Sequence, residues 1–429
     1  MRTRFLFAGL ALLASALPAQ SATSPNVVAE WAAIIQPAIV VTDTGPRSAG
    51  TSQILHTTIM LAAYDAAVAV EGEFRPFIAA IPQVPYADVR AAVATAVWRT
   101  ARTRVAAGQV AYLDQQYAAY LATIPDGLAK TEGVGVGEAA ASAVLTARAN
   151  DGFGTVVAYE CSGRPTAPGE FEPDGGCPSG AGSPQPVDVK LGRIVPFTLD
   201  SVTRFRPDGP DPMTSSVYTA DFEETRDFGR SDSLERSPEQ TDIAYFWAEN
   251  PYVHWNRNLI GLAQAQALTP LETARFFAMV HTAVADAIIV GFEAKYHYAF
   301  WRPRTAIPRA DADGNPDTEA DPTWRPLISV NHPEYPSGHG FWSTALVDAT
   351  ARFFGTNKVT WTLATSKTAV PKVEQTERTY HDLNALMRQI GNARIWAGLH
   401  WRQSIRHGEQ VGRRVAAHVT RHYFGPVRR

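Results

Sequence analysis

The amino-acid sequence predicts an all-α protein built as one large domain of helical bundles. Three observations support this prediction. Long segments carry apolar residues at helical spacing, the N-terminal third is rich in alanine, and strand-like alternation never continues beyond about five residues. A hydrophobic content of 45% is enough for a sizeable core. The formal net charge of −3 is nearly balanced and gives no indication of a nucleic-acid-binding protein.

Helices are expected along most of the chain, separated by short breaks such as Pro125-Asp126-Gly127. The expected helices are 26–35, 48–70, 87–107, 109–124, 132–149, 237–249, 253–267, 270–298, 340–354, 373–396 and 404–423. The segment Ser237-Pro238-Glu239-Gln240 has the features of a helix start: a capping residue, then proline, then a carboxylate.

The N-terminus has the pattern of a secretory signal peptide. Arg2 and Arg4 precede a mostly apolar run over 5–17, and small residues lead to a cleavage site near Ala22. This run is too short to span a membrane. We therefore expect a signal peptide at 1–21, a mature helical domain at 22–429 without a membrane span, and a secreted or periplasmic location.

Between the two helical halves, residues 152–196 are rich in glycine, proline, serine and aspartate. This composition predicts a long surface excursion and not a separate domain. Both cysteines of the chain, Cys161 and Cys177, lie inside it. In an exported protein such a pair is expected to form a disulfide. The alternative, a metal-binding pair, lacks histidines at ligand spacing nearby.

The segment His-Pro-Glu-Tyr-Pro-Ser-Gly-His, residues 332–339, stands immediately before an apolar run with helical spacing. Its two prolines and its glycine predict an ordered loop. Ser337 and Gly338 at the start of a helix would offer free backbone N–H groups and a hydroxyl, with the imidazole of His339 beside them. Such a loop is suited to a tetrahedral oxyanion. The alternative is a turn that contains serine and histidine by coincidence.

Two cations occur in apolar surroundings further along the chain. Lys295 and Arg302 are about two helical turns apart, so one continuous helix would place them on the same face, with Pro303 ending that helix. Cations among so many aromatic and aliphatic residues need anionic partners. Either Glu293 and Asp286 or a bound oxyanion could supply the negative charge.

A third cation and a second imidazole follow, in Arg394 and His400. Gly398 offers a break, so Arg394 would end one helix while His400 opens the next and turns toward the same point. A lone histidine between Leu399 and Trp401 is usually a core residue. Three cations, an N–H-rich turn and two imidazoles together predict a pocket for an oxyanion.

These motifs resemble a known three-part signature. Lys295-x6-Arg302-Pro303, Pro336-Ser337-Gly338-His339 and Arg394-x5-His400 are similar to the signature shared by vanadium-dependent haloperoxidases and type 2 phosphatidic acid phosphatases. Their order and spacing agree with it. The aromatic flanking residues resemble the soluble, bacterial secreted haloperoxidase branch.

The resemblance implies a role for each site residue. His400 would be the axial ligand of vanadate, or the phosphorylated nucleophile in a phosphatase. Lys295, Arg302 and Arg394 would neutralise the oxyanion, and Ser337 and the Gly338 N–H would donate hydrogen bonds to it. His339 would be the acid–base group, and Lys295 would polarise peroxide. Phosphate would compete with vanadate for the same site.

The resemblance also implies substrates: hydrogen peroxide, a halide and a small organic acceptor. At the position of His332 the family carries an aromatic residue or a histidine linked to halide preference, which favours bromide over chloride; the alternative is a loop histidine without a role. The competing functions are a soluble acid phosphatase that uses a phosphohistidine and an oxyanion-binding relative without turnover. A homo-oligomer is compatible with the sequence.

The chain departs from the superfamily pattern at one position. Members often carry an aspartate four residues after the second histidine, where it orients that imidazole, but this chain has Ser404. A carboxylate there would raise the basicity of the imidazole. Glu409 and Asp286 are the candidate substitutes that the sequence suggests.

Overall fold

The computed structural model describes residues 26–78, 81–161, 166–178 and 185–427. The predicted signal peptide at 1–21 lies outside these residues. The all-α prediction is confirmed. The helices are α1 (Val27–Ile39), α2 (Ala49–Glu71), α3 (Val89–Arg102), α4 (Val110–Ala122), α5 (Leu128–Ala147), α6 (Ser216–Gly229), α7 (Pro238–Phe246), α8 (Pro251–Ala265), α9 (Pro270–Tyr298), α10 (Pro303–Ala306), α11 (Gly338–Phe354), α12 (Leu383–Trp396) and α13 (Arg402–His422).

Extended structure is limited to two short antiparallel hairpins in the part of the chain that the structure describes. The strands are β1 (Val41–Thr42) paired with β2 (Gly45–Pro46), and β3 (Trp361–Ala364) paired with β4 (Glu377–Tyr380). Short 3-10 turns cover Ala107–Gln109, Leu191–Arg193 and Ile307–Ala312.

Local sequence signals explain where several helices begin. The predicted start at Ser237 is a capping box. The Ser237 hydroxyl accepts from the backbone N–H of Gln240, and the Gln240 side chain accepts from the backbone N–H of Ser237. The same device, built from Thr269 and Glu272 around Pro270, begins α9. These caps satisfy N–H groups that the first helical turn leaves free.

The core of the molecule is organised around α2 and α9. One cluster of buried apolar side chains includes residues from every named helix except α6 and α10, and α9 packs against α2, α11 and α13. Both α2 and α9 are long and apolar enough to cross a membrane by length and composition. Their apolar windows are 100% and 94% buried within the fold, as expected for core helices of a helical bundle.

The predictions for three helical regions need correction. The expected helix at 373–396 is instead the second strand of a hairpin followed by α12, which begins only at Leu383. Helix α6 was not predicted. Helix α9 ends at Tyr298 because Ala299 adopts a left-handed conformation with φ 43°, so Lys295 and Arg302 do not share a helix. Arg302 instead precedes Pro303 at the start of α10.

The excursion at 152–196 is only in part a surface feature. It contains the disulfide between Cys161 and Cys177, but Phe171 and Leu191 are buried. Its 3-10 turn packs tightly on α9, since a Cβ added at Gly192 would lie 2.5 Å from the Cα of Glu293. The prediction of a surface loop was therefore wrong for its C-terminal part.

Helices α11 and α13 approach each other closely where the motifs at 332–339 and 394–400 meet. A Cβ added at Gly408 would lie 2.7 Å from the carbonyl oxygen of Ser337 and 3.1 Å from the Cα of Gly340. Near the same point the backbone N–H of Ser337 donates to the carbonyl of Ser404 at 3.0 Å. Glycine thus allows the two motifs to meet backbone to backbone.

We expect Gly408→Ala to lower the free energy of unfolding by about 1–3 kcal/mol, because the new methyl group must push α13 away from α11. The measurement is urea denaturation followed by circular dichroism. Gly261→Ala is the matched control, since a Cβ at this position in α8 meets nothing within 4 Å and alanine favours helix by roughly 0.5–1 kcal/mol. Equal effects of the two substitutions would contradict the close-packing explanation.

Candidate active site

The structure brings the predicted cations and imidazoles together at one point. Lys295 lies in the last turn of α9, Arg302 precedes α10, Arg394 lies in the last turn of α12, and His400 precedes α13. All four side chains are buried, at 0%, 1%, 4% and 2% exposure respectively. The pKa of His400 is lowered well below its ordinary value by burial and then by the three cations. The site is therefore compact and strongly positive.

Lys295 is held by backbone oxygens of the loop at 332–339. Its Nζ donates to the carbonyls of Pro333 and Glu334, both at 2.9 Å. Burial and the charge of Arg302 lower the pKa of Lys295 well below its ordinary value, while Glu334 raises it. A Cβ added at Gly338 would meet only the Cε of Lys295, at 3.9 Å. The ammonium group thus lies close to the start of α11.

Arg302 connects the loop to the segment that carries His400. Its Nε donates to the carbonyl of His332 at 2.5 Å, and one terminal nitrogen donates to the carbonyl of Leu399 at 2.9 Å. The other terminal nitrogen lies 3.0 Å from Nδ1 of His332. Nδ1 of His332 also lies 3.1 Å from the carbonyl oxygen of Pro333, so both Arg302 and the loop backbone hold this ring. Burial lowers the pKa of Arg302 to about 9.

The start of α11 provides the hydrogen-bond donors that the sequence predicted. Ser337 is the N-cap, and its Oγ accepts from the backbone N–H of Gly340 at 3.3 Å. Its hydroxyl proton remains available to donate. The first N–H groups of a helix have no partner within the helix. The hydroxyl of Ser337 and the backbone N–H of Gly338 therefore lie together at the start of α11.

Arg394 and His339 lie against the linker between α7 and α8. A terminal nitrogen of Arg394 donates to the carbonyl of Trp247 at 2.9 Å, whereas its buried Nε has no partner among the described residues. Burial, then Arg394 and His254, lower the pKa of His339 well below its ordinary value, although the Trp247 carbonyl raises it. His339 is thus a neutral imidazole at neutral pH and can accept a proton.

Glu334 is the residue that the sequence analysis missed. Its Oε1 accepts from Nδ1 of His400 at 2.7 Å and from the backbone N–H of Trp401 at 3.1 Å. A carboxylate that accepts at Nδ1 leaves the lone pair of His400 on Nε2. Burial raises the pKa of Glu334 to about 7, while Lys295, Arg302 and the hydroxyl of Ser404 lower it. The signal was available, because Glu334 lies inside the motif that the analysis singled out.

Neither candidate that the sequence suggested orients His400. Glu409 forms an ion pair with Arg413 on the outside of α13, at 2.8 Å. Asp286 accepts hydrogen bonds from the backbone N–H groups of Phe197 and Thr198. Both predictions were wrong, because each carboxylate is occupied away from the imidazole.

A second buried carboxylate–histidine pair stands beside the site. Oε2 of Glu249 lies 3.2 Å from Nδ1 of His254, and Oε1 accepts from Arg257 at 2.5 Å. The ring of His254 packs against Trp247, with centroids 5.0 Å apart, and its Nε2 has no partner among the described residues. This pair supports Trp247, whose carbonyl accepts from Arg394, and lies near His339.

A cavity of about 300 Å³ opens above these groups and is lined in part by His332, Gly338, His339, Arg394 and His400. Three buried cations facing one carboxylate leave an excess of positive charge, and the unpartnered Nε of Arg394 lacks an acceptor. Within the described ranges no cluster of three or more His, Cys, Asp and Glu could hold a metal ion through side chains alone. The residues present thus suit a metal that is bound as part of an oxyanion and not as a bare cation.

The fold and the site define a helical protein with a buried, positively charged pocket that contains two imidazoles. Comparisons with known proteins narrow this class. Residues 275–428 match the family model of the VCPO second helical-bundle domain. A vanadium chloroperoxidase of Curvularia inaequalis is 29% identical over 162 residues, covering 30% of this chain. The match spans only 25% of the length of that relative.

Solved structures extend the likeness to the whole fold. A bacterial vanadium-dependent iodoperoxidase superposes with a TM-score of 0.74 at 19% identity, covering 93% of this chain and 96% of that one. A holo-type bacterial vanadium-dependent chloroperoxidase superposes with a TM-score of 0.70 at 19% identity, covering 90% and 93%. Residues 275–428 thus match the VCPO family model, and the chain shares the fold of the solved vanadium haloperoxidases, so the resemblance inferred from the motifs is confirmed.

We expect Glu334→Gln to weaken vanadate binding by roughly 10- to 100-fold, since an amide at this position lacks the negative charge that raises the basicity of His400. Isothermal titration calorimetry with orthovanadate measures this. Glu409→Gln is the matched control and should leave the affinity unchanged. If Glu409→Gln weakened binding as much as Glu334→Gln did, the assignment of the orienting carboxylate would be wrong.

Proposed function

We propose that the protein is a vanadate-dependent haloperoxidase that oxidises bromide with hydrogen peroxide to hypohalous acid. One observation carries this proposal: three buried cations surround an imidazole whose Nδ1–H is fixed by a fully buried carboxylate. The haloperoxidase-like family and fold support it. The relatives named above are haloperoxidases, which does not favour a phosphatase.

Each residue of the site would hold or serve vanadate in a specific way. His400 would coordinate through Nε2, while Lys295, Arg302 and Arg394 would balance the negative charge. Ser337 and the N–H of Gly338 would donate hydrogen bonds at the positive end of α11. When bound, vanadate supplies a Lewis-acidic centre at which hydrogen peroxide is activated toward halide.

His339 is proposed to move the proton of the reaction. Burial and the nearby Arg394 keep its imidazole neutral, so it can accept a proton from hydrogen peroxide as that substrate binds. The Trp247 carbonyl then stabilises the protonated ring. Two backbone carbonyls hold the ammonium group of Lys295. Its third N–H would donate to the peroxide oxygen and polarise it.

His332 is proposed to influence halide preference. It lines the cavity and packs on Phe292, with ring centroids 5.6 Å apart. Burial and the nearby Arg302 and Lys295 lower the pKa of His332 well below its ordinary value, so the ring is a neutral imidazole with one N–H donor. A neutral N–H donor beside an apolar ring suits a large, weakly hydrated halide, which favours bromide over chloride.

Phosphate-ester hydrolysis through a phosphohistidine at His400 remains the second candidate function. The finding that Glu334 supports the imidazole removes one objection, since the absence of an aspartate at Ser404 does not leave the ring without a carboxylate. Vanadate and the phosphoryl transition state also share geometry and charge. The two activities must therefore be assayed separately.

Purified protein incubated with orthovanadate should catalyse peroxide-dependent bromination, and metal analysis of the same sample should find vanadium. His400→Ala should lower this rate at least about 100-fold, because it removes the coordinating nitrogen. His339→Ala should lower the rate by roughly 10²- to 10⁴-fold while retaining vanadate. His381→Ala is the control, since that exposed ring hydrogen-bonds a threonine hydroxyl and does not line the cavity.

Other outcomes would contradict the proposal or support an alternative. Bromination without vanadate, or bromination that survives His400→Ala, would rule out the proposal. Phosphatase activity that vanadate abolishes, without halogenation, would establish the second candidate. Tight vanadate or phosphate binding with neither activity would identify an oxyanion-binding relative without turnover.

Replacing His332 by phenylalanine should lower the ratio of kcat/KM for bromide to that for chloride by about tenfold, because the N–H donor is lost while the ring volume is kept. Steady-state halogenation with each halide measures the ratio. Equal losses for both halides would show that His332 only supports Arg302.

A secreted or periplasmic location is proposed from the N-terminal pattern, and the disulfide between Cys161 and Cys177 supports it. Mass spectrometry of the exported protein should find a mature chain that begins near Ala22. An intact N-terminus on cytoplasmic protein would contradict this proposal.

A further inference from the structure

The cavity above the cations has two chemically different parts. Its floor includes Gly338, His339, Arg394 and His400. Its walls are mainly apolar and come from segments far apart in sequence: the start of α2, the end of the excursion, the linker between α7 and α8, and the loop before residue 332. The apolar wall residues include Phe292, Ile328, Val330 and Trp342. We call this upper part the apolar chamber.

The chamber is larger than the oxyanion and a halide require. The whole cavity measures about 300 Å³, at the lower end of the range for small-molecule sites. A tetrahedral oxyanion takes the space of three or four waters, roughly 100 Å³. The remaining volume accommodates one ring-sized organic molecule of roughly seven to ten non-hydrogen atoms.

The charges around the chamber indicate a neutral occupant. Two carboxylates line it, and both are engaged: Asp188 accepts from Thr51 at 3.1 Å and also from Ser48, and Glu249 accepts from Arg257. The cation that lines the cavity, Arg394, belongs to the floor. An anionic organic molecule would meet these carboxylates once the oxyanion occupies the floor, whereas a neutral ring meets aromatic and aliphatic surface.

We propose that the apolar chamber binds a small neutral aromatic molecule directly above the oxyanion position, and that this molecule is the organic substrate halogenated there. The chemistry in this statement rests on the proposed haloperoxidase function, but the binding does not. In the halogenation step hypohalous acid transfers its halogen to a ring carbon, the ring loses a proton, and that proton and the hydroxide leave as water.

The binding test uses the full chain and indole as the probe. Calorimetry should show one indole bound per chain, both without and with saturating inorganic phosphate. With phosphate present, indole-3-carboxylate should bind at least tenfold more weakly than indole. Val330→Asp should weaken indole at least tenfold and leave phosphate affinity unchanged. Val217→Asp is the matched control, because Val217 lies at 44% exposure on α6, and it should change neither.

Val330→Trp is the second variant, in case an aspartate at position 330 impairs folding. It keeps the wall apolar but fills the chamber, so it should also abolish indole binding while phosphate still binds. No indole binding by the native chain, equal binding of the carboxylate, or unchanged indole binding by folded variants at position 330 would each overturn the proposal.

The second test asks whether the bound molecule is the substrate. Two neutral aromatic compounds that reagent hypobromite brominates equally, one ring-sized and one too large for the chamber, are offered together to the vanadate-loaded enzyme. The smaller compound should be brominated preferentially, and Val330→Trp should remove the preference. Equal bromination would overturn the substrate assignment. Indole binding without any bromination would instead contradict the proposed function and leave the binding site established.

Discussion

The site depends on keeping three cations out of water at one point in a helical fold. Removing an ammonium or guanidinium from water costs several kcal/mol unless polar groups replace the solvent. Only one carboxylate, Glu334, faces these cations among the residues identified at the site. Backbone carbonyl oxygens replace most of the water that these cations lose. The carbonyls belong to segments outside the helices: the loop at 332–339, Leu399 and Trp247. The irregular segments are therefore where the positive charge is stabilised.

This requirement explains why each helix near the site ends where it does. A left-handed Ala299 ends α9 just after Lys295, so Arg302 can approach from a separate segment. Gly398, with φ 71°, ends the α12 segment in the same way, which exposes the Leu399 carbonyl to Arg302. The absence of a side chain at Gly408 then allows the start of α13 to pack against Ser337. Two of these three positions are glycines, because a side chain would strain the backbone or separate the helices.

Features that depend on local sequence could be predicted, and features that depend on tertiary contact could not. Capping residues and proline predicted the start of α7 correctly, and Gly398 correctly separated Arg394 from His400. The helix through Arg302 was wrong because nothing in the sequence near Ala299 signals a left-handed residue. The hairpin of β3 and β4 was missed because its strands are short and carry little alternation. Glu334 was missed for a different reason: its partner is distant in sequence, so only the fold shows which carboxylate supports His400.

The two arginines of the site are not equivalent, and their contacts suggest a division of labour. Arg302 donates to the carbonyls of His332 and Leu399 and to the ring of His332, so most of its hydrogen-bonding capacity holds protein segments together. Arg394 donates to the Trp247 carbonyl and keeps a buried Nε–H without a partner among the described residues. A buried donor without an acceptor is costly, and an oxyanion above His400 would relieve that cost. Arg302 thus fixes the shape of the site, whereas Arg394 gains most from the ligand.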